Sequence, residues 1–568
     1  MTLFLLGPMA VAANGSRAWD GFEQQVWLAT IAHVNRARAE TNDNDLPGTI
    51  ERLYRLAGYR PLWVSATGLN AQGTVLLKAL RNAHAEGLDP NDYLNPSWLM
   101  DGVDPVILTG TIYPSDLKQR IQMDVMLTDA LIRYASHLSR GRLTRHAFTP
   151  PKRTDHVRDI KDLTGELATA VKAGRLIAGL DNLQPQQNAY QRLKSALRQY
   201  EQVQIVGGWP VIPPGPSLRR GDQGLRVSVL RRRLFLSGDL LRMPPLGIDR
   251  YDRPLEAAVM RFQYRHGLEP DGIVGPRTLA ALSVSVNARI TQLRLNMERW
   301  RWYPDRFGER YLLVNIPDYT LRVVEHGRTV HRMRAIVGKP DRQTPTLYGR
   351  MTYLTVNPYW NIPRKIARQD ILPKIIHDPG YLVRQGIQVF ERWEAEAPAL
   401  DPLTIPWDQL AGTRFPYRLR QEPSVHNALG RVKFMFPNRN SIYIHDTPST
   451  ALFDRPQRAY SSGCVRVEDP LRLAQYLLQD LNWDRFRLEA AIATGRERSI
   501  VLNRSIPVFL VYFTGWVDEF GRIHFREDVY GKDRDLDLAI RRRSAPLLFS
   551  DCKRETGRLM ADFRPHNG

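Results

Sequence analysis

The sequence predicts an α+β multidomain chain: a helical N-terminal scaffold, a small three-helix module, and a β-rich domain interrupted by a long insertion. Three observations carry that reading. The 568 residues exceed what one hydrophobic core organises, since domains usually run about 100 to 200 residues. The apolar period is helical through Gln204 and becomes two from Tyr311 onward. Between them a Gly/Pro-rich run, Gly207-Gly208-Trp209-Pro210 through Pro213-Pro214-Gly215-Pro216, marks a boundary.

With 43% hydrophobic, 9% aromatic and 24% charged residues, the chain can bury several cores, which excludes global disorder. Eighty Lys and Arg against 59 Asp and Glu leave a formal charge of +21, a field that draws anionic partners. The basic residues are mostly Arg spread evenly, and no zinc-finger, RNP or basic-zipper pattern accompanies them, so nucleic acid is not the expected partner. Beyond the first residues no apolar stretch approaches the roughly 18 to 20 that cross a bilayer, so no transmembrane span is expected in the mature chain.

Residues 1–16 read as an export segment: an apolar run ending in the small-x-small pattern Ala10-Val11-Ala12, followed by polar Asn14-Gly15-Ser16. The usual positive start is missing, and a buried N-terminal helix is the alternative. Residues 20–205 are expected to form a helical scaffold domain, with apolar sets such as Leu76-Leu77-Leu80 and Met123-Met126-Leu127-Ala130-Leu131.

In the module at 217–284, Asp222 is expected to cap a helix with Val227, Leu230 and Leu234 on one face. A second helix carries Leu255, Ala258, Val259 and Phe262 before Gly267 stops it, and a third starts at Gly275-Pro276.

The domain at 308–535 is expected to hold strands over 311–316, 320–325, 329–337, 352–357, 431–436 and 441–445, with His326-Gly327 as a hairpin turn. Some seventy residues separate the strands near Asn357 and Arg431, more than a plain loop needs, so a functional lid or subdomain is expected there. Asp469-Pro470 caps a helix with Leu473, Leu477, Leu478 and Leu481 inward, and strands over 507–513 and 522–526 close the fold. Residues 536–568 form a basic tail.

Two cysteines, Cys464 and Cys552, are too few for a disulfide framework, and without C-x-x-C they form no usual zinc site. Cys552 sits in a charged tail with no catalytic setting. Cys464 follows Ser461-Ser462-Gly463, 19 positions after His445 at a strand end. An imidazole can take a thiol proton and return it to a leaving amine, and the resulting cation holds the thiolate. Gly463 lets a carbonyl approach the backbone, where the Cys464 amide and a neighbour form an oxyanion hole. Arg466 shares a face with Cys464 in an extended segment and can bind a carboxylate or favour the thiolate. The bland alternative is a small buried cysteine and a structural histidine.

His445-Asp446-Thr447-Pro448 followed by Ser461-Ser462-Gly463-Cys464-Val465-Arg466 resembles the signature of the L,D-transpeptidase catalytic domain, the YkuD family. With Val337-Gly338-Lys339-Pro340 and Thr344-Pro345, Asn357-Pro358-Tyr359-Trp360-Asn361-Ile362-Pro363 and Asn427-Ala428-Leu429-Gly430-Arg431-Val432-Lys433-Phe434, the chain is similar to the large YcbB-type branch. Leu218-Arg219-Arg220-Gly221-Asp222, Phe262-Gln263 and Asp271 to Thr278 resemble a type 1 peptidoglycan-binding module, which is either a wall ligand site or a retained spacer. Ser462 stands where many smaller family members have His.

The resemblance implies a cap at 375–430 and acyl transfer on peptidoglycan. Cys464 is then the nucleophile and His445 the acid and base, with Gly463 and Ser462 as oxyanion or supporting residues. Tetrapeptide stems lose D-alanine and are joined through diaminopimelate as 3-3 cross-links. No metal or organic cofactor is implied, and carbapenems are the expected inhibitors. Arg466 is the expected carboxylate binder; Tyr443 and Trp360 are substrate walls or core aromatics. A periplasmic location is expected, and the charge of +21 then faces stem carboxylates. Water as acceptor, making a carboxypeptidase or endopeptidase, and a silent wall-binding scaffold are the alternatives.

Overall fold

The computed structural model describes residues 48–65, 68–94, 117–143, 160–242, 249–305, 307–394, 396–410 and 415–543. The expected export segment, Cys552 and most of the basic tail lie outside them.

The N-terminal region is helical, with Thr49–Leu56, Ala71–Arg81, Leu117–Arg140, Ile160–Lys172 and Leu176–Leu183 packed around Leu53, Trp63, Leu80, Leu131 and Leu167. Its fixed point is Asp124, whose buried carboxylate accepts the amides of Leu62 (2.9 Å), Trp63 (2.7 Å) and Val64 (3.1 Å). The helix Asn188–Ile205 leaves this core and packs on Val286–Trp300 and the aromatics Phe509, Phe513 and Phe525, tying the scaffold to the C-terminal domain.

The module has three helices, Leu225–Leu236, Arg253–Arg265 and Pro276–Ser283, around Val227, Leu230, Leu234, Val259 and Phe262. Gly267, at φ +69, ends the second as expected. Asp222 does not cap the first: the residue before that helix is Gly224, and the Asp222 carboxylate turns back to accept the Arg219 amide at 2.9 Å. Competition from a nearer amide decides this. The sequence pair Phe262-Gln263 and Asp271-Gly272 is explained by one buried amide: Gln263 donates to Asp271, Ile273 and Thr278 and accepts from the Gly272 amide.

The C-terminal domain is built on strands β1 (Arg310–Asn315), β2 (Thr320–Glu325), β3 (Arg328–Gly338), β4 (Leu347–Val356), β5 (Trp360–Ile362), β6 (Ile387–Phe390), β7 (Ala399–Leu400), β8 (Arg418–Gln421), β9 (Val432–Met435), β10 (Ile444–His445), β11 (Ala459–Ser461), β12 (Val465–Val467) and β13 (Arg498–Val511). Nine of them form one sheet in the order β11-β3-β12-β10-β9-β4-β13-β1-β2, and β2 also pairs with β3, so the sheet curls onto itself. Alternate residues, among them Leu321, Met333, Leu354, Phe434, Ile444 and Val465, fill its inside together with Leu473 and Leu477 from the helix Pro470–Leu477. Asp469 caps that helix, accepting the Arg472 amide at 3.1 Å.

His326 and Gly327, both at positive φ, make the expected hairpin turn. Three strand expectations change. The segment 441–445 is paired only at Ile444–His445, because the Asn438 side chain holds a turn through Phe436, Asn440 and Ile442. The strand expected from Pro507 begins at Arg498 and passes an irregularity between Val501 and Ile506. The strand Ile523–Phe525 pairs with Gly515–Val517 in a separate two-stranded sheet rather than closing the main one.

The insertion has its own four-stranded sheet, β5-β8-β6-β7, and its own core of Ile362, Ile371, Ile375, Val389, Trp407 and Leu419. It therefore starts near Trp360, earlier than the expected 375. Asn357 and Asn427 pin its two ends: Asn357 Nδ2 donates to the carbonyls of Ala491, Ile492 and Arg496, and Asn427 Nδ2 to those of Pro358 and Glu422.

Candidate active site

The parallel pair β10 and β12 sets the site. Ile444 faces Val465 and His445 faces Arg466, while β9 places Lys433 opposite His445. The partners Ile444, Val465 and Phe434 point into the core, so period two sends His445, Arg466 and Lys433 to the outer face, and Tyr443, in contact with His445, Lys433 and the Cys464 thiol, joins them. The sequence pair His445 and Cys464 thus sits on neighbouring segments, with Tyr443 touching both.

Cys464 is held by the turn before it. Gly463 adopts φ +118, a conformation that L side chains rarely take. Its carbonyl accepts Thr344 Oγ1 at 2.8 Å, Thr344 Oγ1 in turn accepts the Gly338 amide at 2.8 Å, and Ser461 Oγ donates to the Cys464 carbonyl at 2.5 Å. The Gly463 amide donates to Ser461 Oγ at 3.1 Å, so it is occupied rather than aimed at a substrate oxygen. The half-buried thiol lies 3.9 Å from the Ser441 carbonyl.

The tautomer of His445 follows from its partner. Nδ1 lies 2.5 Å from the Asp446 carbonyl, which can only accept, so Nδ1 carries the proton and Nε2 is the nitrogen able to take another. The Asp446 peptide is fixed by its own carboxylate, which accepts the amides of Thr447 (2.7 Å) and Arg431 (2.8 Å). Gly430, at φ +61, allows this packing, since a Cβ there would meet Asp446 at 2.4 Å.

Charge and burial oppose ionisation. Burial, then Arg466 and Lys433, push the His445 imidazole down to about 3. Burial also raises the Cys464 thiol, although the Tyr443 amide and hydroxyl and the cations of Lys433 and Arg466 work the other way. Both shifts favour the neutral thiol and the neutral imidazole over the thiolate and imidazolium expected from the sequence. A general-base transfer at the moment of attack fits this state.

Arg466 is half-buried, its Nε has no hydrogen-bond acceptor, and no carboxylate pairs with it among the described residues. Tyr443 packs edge-on against His445 at 5.6 Å, and its hydroxyl meets both the Cys464 thiol and the Trp360 side chain. Trp360 also packs on the insertion core, so these two expected wall residues join insertion and thiol. Ser462 is exposed and accepts Arg342 Nη1 at 3.1 Å, and the same guanidinium grips Asp370 of the insertion, 3.0 Å from Nη2 to Oδ1. Its side chain links the thiol loop to the insertion.

Lys433 and Thr344 lie in the motifs that carry the family resemblance but are assigned no site role there, and Arg342 lies outside those motifs. Lys433 lies 4.2 Å above the Tyr443 ring with burial lowering its pKa. Its signal was a lone cation between Val432 and Phe434 in an apolar strand. Thr344 and Arg342 are given no role by the sequence because the partners that tie them to the thiol turn, Gly463 and Ser462, lie over a hundred residues away.

Residues 309–496 match the L,D-transpeptidase catalytic domain family, residues 48–197 a family described as a scaffold domain, and residues 224–282 one described as "Putative peptidoglycan binding domain". A Haemophilus influenzae protein named "Putative L,D-transpeptidase" is 38% identical over 259 residues, 45% of this chain and 51% of that protein. The chain thus spans about half the length of this curated relative. Among solved structures, an L,D-transpeptidase (residues 123–326) from Xylanimonas cellulosilytica aligns over 53% of this chain and 99% of its own at 18% identity and TM-score 0.17. One from Mycobacterium smegmatis aligns over 36% of this chain and 58% of its own, at 14% identity and TM-score 0.17. One from Stackebrandtia nassauensis covers 53% and 96%, at 14% identity and TM-score 0.20.

Proposed function

We propose that this chain, which carries an L,D-transpeptidase catalytic domain beside a peptidoglycan-binding module, is a cysteine-dependent transpeptidase that forms 3-3 cross-links in peptidoglycan. The observation that supports the reading is the position of Cys464 immediately before β12 and of His445 on the adjacent β10, with the cations of Lys433 and Arg466 acting on both.

Cys464 Sγ attacks the L-centre carbonyl of diaminopimelate in a tetrapeptide stem as its proton passes to His445 Nε2. The oxyanion forms against the Cys464 amide, a type of contact worth roughly 3 to 4 kcal/mol of the barrier. The imidazolium, destabilised by Arg466 and Lys433, returns the proton to the leaving amine of D-alanine, whose carboxylate binds Arg466. An amine of a second stem then attacks the thioester, losing its proton through His445, and Cys464 leaves as the thiol. The thiol carries the covalent step, so no cofactor enters. Trp360 and Tyr443 form the wall toward the insertion.

The organisation fits the large YcbB-type branch acting in the periplasm, where a basic protein meets stem carboxylates. Among the described residues no helix is long and apolar enough to cross a membrane. The test is product analysis with purified tetrapeptide muropeptides: dimers joined through diaminopimelate are expected, whereas tripeptides without any dimer would assign water as the acceptor.

A further inference from the structure

Arg466 is paired with Ile336 of β3, so by period two Arg334 and Arg332 share its face of the sheet, and there they line a cleft of about 500 Å³ between the three-helix module and the catalytic sheet. One wall is the end of the module's second helix, from Tyr264 to Pro270; another is the part of β3 around Arg332 and Arg334. The third, residues 453–458, belongs to the connection between His445 and Cys464 and runs directly into β11. The cleft and the thiol therefore share one short segment.

The module is clamped rather than tethered at this place. Arg265 donates to the Ile523 carbonyl at 3.1 Å, Arg526 donates to the Arg265 carbonyl at 2.9 Å, and a Cβ on Gly267 would meet Arg526 at 2.6 Å. The cleft is thus part of the packed structure.

Its charges are unequally matched. Buried Asp318 on its floor is shared by Arg322 (3.2 Å), Arg332 (3.5 Å) and Arg526 (2.6 Å), and these cations hold its carboxyl well below the usual range despite burial. Arg334 is matched by Asp454 and Glu468. Arg458 is half-buried and donates only to the carbonyls of Ala335, Tyr319 and Arg455, and exposed Arg455 has no carboxylate partner among the described residues. Glu269 is the acid left at the rim. A cleft with surplus guanidinium charge beside the rings of Tyr264 and Tyr319 suits a peptide bearing carboxylates and aliphatic stems.

We propose that this cleft binds the acceptor strand, a second carboxylate-bearing stem distinct from the one that acylates Cys464. The inference rests on the proposed function and deepens it by giving the acceptor a place. Its test uses the full chain with Arg455→Glu, at an exposed position, and Tyr264→Ala from the module side. With donor saturating, each is expected to raise the acceptor concentration needed for half-maximal dimer formation by about tenfold. Acylation of Cys464 by tetrapeptide without acceptor should change by less than about twofold.

An unchanged acceptor requirement, or a parallel fall in acylation, overturns the proposal. Equilibrium binding of the tripeptide L-Ala-γ-D-Glu-diaminopimelate to Cys464→Ala protein gives a readout independent of turnover. Arg455→Glu should weaken it about tenfold, and an unaltered Kd overturns the cleft even where dimers form. Failure of the wild type to be acylated at all would instead sink the proposed function, so the two failures are separable.

Discussion

His445 and Arg466 are direct partners across the parallel strands β10 and β12, the charge of the guanidinium acts on the imidazole, and no carboxylate pairs with Arg466 among the described residues. Protonating His445 would set two cations side by side in a buried place, and Lys433 on the opposite flank adds a third. The arrangement therefore favours a neutral imidazole.

The pH dependence follows with a definite sign. His445 falls from 6.5 to about 3 on folding, so the unfolded chain binds a proton that the native chain refuses between those values. Stability from this group is fully present above pH 6.5 and is lost as pH falls toward 3. Replacing it by Gln should flatten the acid side of a plot of denaturation midpoint against pH, leaving the contributions of His524, lowered to about 4 by its own burial, and of His266, also lowered by burial. An unaltered slope contradicts the assignment.

Catalysis should show the same neutral ground state. The acid limb of kcat/KM for acylation is expected below pH 5, and the iodoacetamide profile of Cys464 should titrate above a free thiol. Arg466→Met should lower kcat/KM for a tetrapeptide with a free terminal carboxylate by about tenfold to a hundredfold, and much less for its amide. Equal losses on both donors would mean that Arg466 acts on the thiol alone.

Thr344→Val removes the hydroxyl that receives the Gly338 amide and donates to the Gly463 carbonyl. It should cost about 1 to 3 kcal/mol, read from urea unfolding, and slow Cys464 acylation, because the turn loses its pin. Gly463→Ala, forced to φ +118, is expected to impair acylation more than stability, with a backbone cost of about 1 to 2 kcal/mol.

Arg342 couples the thiol loop to the insertion through Ser462 and Asp370. Asp370→Asn should speed hydrogen exchange over 364–377 by about tenfold, while Ser462→Ala leaves that exchange and the acylation rate nearly unchanged. Faster exchange in Ser462→Ala but not in Asp370→Asn would reverse the roles given to the two partners.

Much of this was legible in the sequence because the signals were local. The change of period at Tyr311, the Gly267 stop and the Asp469 cap each act within a few residues. His445 and Cys464 were readable because their residue types carry chemistry. Their electrostatics were not, since the neutral state depends on cross-strand neighbours that only register supplies. The insertion's true start near Trp360 was hidden because β5 pairs with β8, nearly sixty residues on. Asp222 misled because a capping residue and a turn residue look alike until the competing amide is placed.

The central claim is that Cys464 is the residue acylated. Intact-protein mass spectrometry after exposure to a carbapenem, on wild type and Cys464→Ala, tests it most directly. A single adduct in the wild type, absent from Cys464→Ala and slowed in His445→Gln, is the predicted result; an adduct that persists in Cys464→Ala, or a wild type that never forms one, contradicts it.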